Sequence, residues 1–163
     1  MQSQPLCVEV PAGSSRLAIV TLLIEHAEDA HARPAFLNYV ESATTLGASL
    51  RRHAPASWAR HVMLSGPAAP QARSLARLKQ SGWSPCMVPT LLPPYRPRSQ
   101  RWYFTFTKLH VFSLVQFRLI LSLDSDVVAV APLPKALLGS LDANKFEVAA
   151  AQVSMSTRRA ESG

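Results

Sequence analysis

The chain has 163 residues, of which 48% are hydrophobic, and its 17 lysines and arginines outnumber 10 acids to give a formal charge of +7. That length suits about one domain, able to bury about 70% of the surface its unfolded chain exposes. No run approaches the ~18 apolar residues of a membrane helix, and the opening MQSQPLCVEVPAGSS lacks the basic-then-apolar order of a signal peptide, so the chain reads as soluble and cytoplasmic. A Golgi location would follow if it were part of a longer protein. The basic residues are scattered, apart from Arg51/Arg52, Arg96/Arg98/Arg101 and Arg158/Arg159. Such a charge attracts anionic ligands, nucleotide diphosphates included, and argues only weakly for nucleic acid. Cys7 and Cys86 stand far apart in no metal or redox spacing and read as buried or free thiols, with a reducing compartment as the default.

Residues 1–15, rich in Pro, Ser and Gly, form an irregular lead-in, and the α/β domain is expected over 16–153. LAIVTLLI, Leu17 to Ile24, is a nearly continuous apolar run, the pattern of a strand covered on both faces of a parallel sheet. The polar stretch Glu25 to Pro34 carries His26, Glu28, Asp29 and His31 at no recognised metal-ligand spacing and reads as a solvated insertion. After Pro34, Phe36, Val40, Ala43, Leu46 and Leu50 recur at helical spacing. A second strand centres on Val62 to Leu64, and a helix over Gln71 to Ser81 puts Leu75 and Leu78 inside before Gly82 ends it. A third strand falls around Cys86 to Val88, ahead of a proline-dense loop. The alternation predicts an α/β fold, a mainly parallel sheet with helices on both faces.

From Trp102 an extended aromatic piece precedes a helix whose packed face is expected to hold Leu109, Phe112, Leu114, Val115 and Leu119. The alternating aromatics with nearby arginines could serve as a nucleic-acid stacking platform, but they read more simply as core. His110 is assigned a packing or surface role. An apolar strand, Leu119 to Leu123, then ends on Asp124-Ser125-Asp126. Two carboxylates about 4 Å apart repel by roughly 4 kcal/mol at an effective dielectric near 20, so holding them together calls for a cation or a shared proton. If the extended conformation continues, alternation turns both acids to one side, at the strand's carboxyl end, where open α/β sheets place ligands. Beyond them come prolines 132 and 134, a short helix, a strand candidate FEVAAAQVS, and a tail over 154–163 without apolar periodicity.

Two segments carry a family resemblance. TKLHVFSLVQF, LILSL, DSD and VVAVAPLPKAL follow one another over about 30 residues, and upstream NYVESATTLGASLR runs from Asn38 to Arg51. This order resembles the glycogenin-like and galactinol-synthase-like retaining glycosyltransferases of family 8, over most of Leu17 to Val148. The resemblance implies a nucleotide-diphospho-sugar transferase fold of the glycosyltransferase-A type, a UDP-sugar donor and manganese as cofactor. Residue by residue it implies that Asp124 and Asp126 bind the metal, that Asp124 also lies near the ribose with Ser125 by the nucleotide sugar, that Tyr39 stacks on the uracil beside Asn38, and that Lys108 contacts the donor sugar. The acceptor, a glycan, protein or polyol, and the catalytic residue are not named by these residues. The family's later histidine-glycine-lysine segment has no counterpart up to Gly163, so the expectation is the donor half of a hexosyltransferase. Two other readings stand beside it: a nucleotide-sugar-binding remnant without catalysis, and a haloacid-dehalogenase-like phosphatase with Asp124 as nucleophile and Asp126 as acid/base.

Overall fold

The computed structural model describes residues 17–25, 32–66, 71–95 and 104–133, with residues 32–35 described by backbone alone. The lead-in, the histidine-bearing stretch, part of the aromatic run, the elements expected after Leu133 and the tail lie outside the described residues. β1 (Leu17–Ile24), β2 (Ala59–Ser65), β3 (Ser84–Met87) and β4 (Leu119–Ser122) form one parallel sheet in the order β3-β2-β1-β4. The α/β expectation therefore holds, and β1 has the bounds read from its apolar run. Its continuous hydrophobicity follows from its central place. Ala18, Ile19, Val20, Thr21 and Leu23 are all buried, because both faces are covered.

On one face lies α1 (Ala32–His53), which packs on β1 and on α2 (Ala72–Gln80). α1 starts before the expected position because Pro34 fits a first turn, where its missing N–H leaves no intrahelical bond unmade. Phe36, Val40, Ala43, Leu46 and Leu50 form its buried stripe, as their spacing predicts. α2 ends in a Schellman motif, with the Trp83 N–H donating to Leu78 O at 3.1 Å and the Gly82 N–H to Lys79 O at 3.0 Å. Gly82 supports that turn with φ +100°, a conformation that residues bearing a Cβ rarely adopt. Arg51 of α1 donates to Gln80 O at 3.0 Å, satisfying another C-terminal carbonyl of α2. A bidentate Arg77–Glu41 pair also joins the two helices and holds the Glu41 carboxyl below its usual range.

The other face is built from Ala18, Val20, Met63, Val88, Leu114 and Phe117. Its cover is a 3-10 helix, Thr105–Ser113, and here the sequence expectation is corrected. Leu109, Phe112 and Val115 are exposed, whereas Leu114 is buried as expected, together with Thr107 and His110. With three residues per turn rather than 3.6, positions 107 and 110 eclipse each other, and the apolar stripe expected of an α-helix rotates into solvent. Cys86 is disulfide-bonded, which corrects the reading of a free thiol at this position.

His61 on β2 lies against this second core, its ring centroid 5.4 Å from that of Phe117 and its Nε2 without a partner. Burial holds its pKa below the ordinary 6.5, against a weaker opposing pull from a backbone hydrogen bond at Ser84. The unfolded chain therefore takes up a proton near pH 6.5 that the folded chain refuses. Stability is complete above that pH and falls as pH drops toward the folded-state pKa, by at most about 1.4 kcal/mol per pH unit. Thermal melts from pH 7.5 to 5.5 should show a smaller acid loss in His61→Gln than in the parent. Equal losses would assign the acid sensitivity to other groups.

Candidate functional site

The sheet order itself marks a ligand position. The chain builds outward from β1 through β2 to β3, then crosses to the other side of β1 for β4, so the order reverses between β1 and β4. In open parallel sheets, the crevice outside the strands' carboxyl ends at such a reversal is where ligands bind. β4 is also short. Its pairing with β1 runs from Leu17↔Leu119 to Val20↔Ser122, whereas β2 follows β1 to Ile24↔Ser65. After one more ladder bond, Leu123 N–H to Val20 O at 2.9 Å, the chain leaves the sheet.

It leaves through Asp124-Ser125-Asp126. The Val127 N–H donates to Asp124 O at 3.3 Å, closing a turn. The two acids are thus held by a turn and not by continued strand alternation, which corrects the reason given for their pairing. Ser125 is buried, and the carboxylates on either side of it are exposed. The segment that follows is tied to α1: the Ala129 N–H donates to Ser49 Oγ at 3.1 Å, and the Leu133 N–H to His53 O at 3.0 Å.

Lys108 reaches this turn from the 3-10 helix, its Nζ 2.5 Å from Asp124 Oδ1. Both side chains remain half-exposed or more, at 50% and 66%. The motif around Lys108 explains how it is presented. Thr107 is fully buried, and its hydroxyl accepts from the Leu91 N–H at 3.1 Å and donates to Leu91 O at 3.3 Å. One 3-10 turn later, buried His110 donates from Nε2 to Pro89 O at 2.8 Å. Thr107 and His110 thus fasten the helix to the strand that exits β3, and Lys108, between them, faces outward. His110 has the packing role expected of it.

Asn38 and Tyr39 sit exposed on the second turn of α1. Among the described residues, no hydrogen bond or ion pair joins either to Asp124, Ser125, Asp126 or Lys108. The residues brought together are therefore Lys108 and Asp124, with Ser125 and Asp126 in the same turn. Sequence reading did not single out Thr107 or Ser49, although both lie inside the quoted motifs. Their signal was a small hydroxyl residue at an interior helical position, which competes poorly there unless it bonds elsewhere.

Two exposed carboxylates in one turn offer hard oxygen donors of the kind that magnesium and manganese accept. Among the described residues, no group of three or more His, Cys, Asp and Glu side chains could enclose a metal. The donor set thus fits a cation that fills its remaining positions with water and ligand phosphates, not one held in an all-protein cage. Among the same residues, no helix is long and apolar enough to cross a membrane. Compared with known proteins, the chain matches no family model, and no curated protein matches it.

Proposed function

We propose that this chain is the donor-binding part of a retaining hexosyltransferase of the glycogenin-like kind, which takes a UDP-sugar with manganese on a glycosyltransferase-A fold. The observation that carries the reading is the Asp124–Asp126 turn at the carboxyl edge beside β1, where the strand order reverses, with Lys108 against Asp124. Asp124 and Asp126 would hold the cation. A divalent ion held there would supply positive charge to offset that of a diphosphate. The chain's own residues orient the donor: the Asp124–Val127 turn aims the carboxylates, and the Lys108 ammonium supplies positive charge next to them. The acceptor hydroxyl is assigned to the face that UDP leaves.

Calorimetry tests the donor site directly. UDP is expected to bind the parent chain more tightly with manganese than without it. Asp126→Asn should reduce the manganese-dependent binding by about 10- to 100-fold, the range seen when support for a metal site is lost, with its melting temperature unchanged because the side chain is exposed. UDP binding that is absent, or indifferent to Asp126→Asn, would refute the assignment.

A further inference from the structure

We propose that Lys108 is the built-in occupant of the cation position at Asp124, and that this occupancy couples cation binding to the arrival of a diphosphate. The proposal rests on the donor-site reading above. Its observation is local: the Lys108 ammonium lies 2.5 Å from Asp124 Oδ1, so a metal ion on the same carboxylate would stand beside its positive charge. The helix that carries Lys108 is fastened, since Thr107 and His110 on either side bond to Leu91 and Pro89. Its head group is free to leave, being half-exposed, and among the described residues its hydrogen-bond partner is Asp124. A lysine is suited to this exchange. Its charge sits at the end of a flexible four-carbon chain, with no bidentate geometry to break.

The consequences follow from charge alone. A divalent cation arriving by itself either displaces the ammonium or shares the carboxylate with it, and in both cases stands beside a second positive charge. A cation arriving with a diphosphate brings the displaced ammonium a new anionic partner, because the phosphates must lie next to the metal. Cation and diphosphate then each raise the other's affinity by the same factor, as linkage requires. The ion pair meanwhile neutralises one of the two carboxylates, which relieves their mutual repulsion.

The test titrates manganese alone, then manganese with UDP, into the parent chain, Lys108→Met and Lys108→Arg, with thermal melts to verify folding. Lys108→Met should bind manganese alone about two- to five-fold more tightly, the range by which an exposed ion pair shifts a competing equilibrium. The factor by which UDP strengthens manganese binding should be smaller in Lys108→Met than in the parent. Lys108→Arg, which keeps the charge, should stay close to the parent in manganese binding alone. If Lys108→Met binds manganese alone no more tightly while the parent still binds manganese and UDP together, the placeholder role is overturned and the donor site stands. If the parent shows no manganese-dependent UDP binding, both fall.

Discussion

Gly47→Ala is expected to lower the melting temperature by about 2–20 °C, although helix propensity alone would raise it. Alanine is favoured over glycine in a helix interior by about 1 kcal/mol. A Cβ at position 47, however, would stand 2.5 Å from Trp83 Nε1, 2.8 Å from Trp83 Cδ1 and 2.9 Å from the Ser81 carbonyl oxygen. Trp83 cannot yield without loss, because its indole N–H donates to Ala43 O at 2.7 Å in a buried contact. Overpacking costs about 1–3 kcal/mol, and a buried indole N–H left unpaired costs a further 1–3 kcal/mol or so. Set against the gain in propensity, the net loss is about 1–5 kcal/mol, or about 2–20 °C at roughly 2–4 °C per kcal/mol for a chain of this length. Ala48→Gly, on the exposed side of the same turn, isolates propensity and should cost only about 1 kcal/mol. A Gly47→Ala chain more stable than its parent would mean that α1 and Trp83 do not approach as closely as these distances require.

Thr107→Val should cost about 2–3 kcal/mol, and more than Thr107→Ser. Valine keeps the shape but removes the hydroxyl that serves both the N–H and the carbonyl of Leu91, and an unsatisfied group of this kind costs about 1–3 kcal/mol. Serine keeps both bonds and loses one buried methyl, worth about 0.8 kcal/mol. Hydrogen exchange provides a local reading: the Leu91 amide should lose protection in Thr107→Val and keep most of it in Thr107→Ser. If serine were the worse replacement, packing of the methyl would outweigh the clamp. The functional stake is the helix that carries Lys108, since Thr107 and His110 attach it to the segment leaving β3.

Much of the candidate site was legible residue by residue. An apolar strand ending on Asp124-Ser125-Asp126 identifies two acids that need a counter-charge, whatever the fold around them. Lys108 was legible only through the motif that contains it, since a lysine sixteen residues before an aspartate predicts no contact by itself. Thr107 could not be assigned in this way. Its partner, Leu91, lies at the start of the proline-dense loop, and the bond between them depends on how the segment leaving β3 and the 3-10 helix meet. The misread stripe of Leu109, Phe112 and Val115 has a related cause. Apolar spacing of three and four residues fits an α-helix, but the clamps at Thr107 and His110 settle the segment into a tighter helix that turns those side chains outward.

By itself, the sequence determined the local elements: the bounds of β1, the buried face of α1, the end of α2 at Gly82 and the presence of paired acids after a strand. Each of these is a property of residues close together in the chain, where side-chain period and turn chemistry act directly. Only the tertiary structure decided that β4 lies beside β1 so that the strand order reverses there, that the acids are presented by a turn, and that Lys108 rests on Asp124. Strand order and ion pairing depend on contacts between segments distant in sequence. Their free energy comes from how whole faces pack, which no local pattern records.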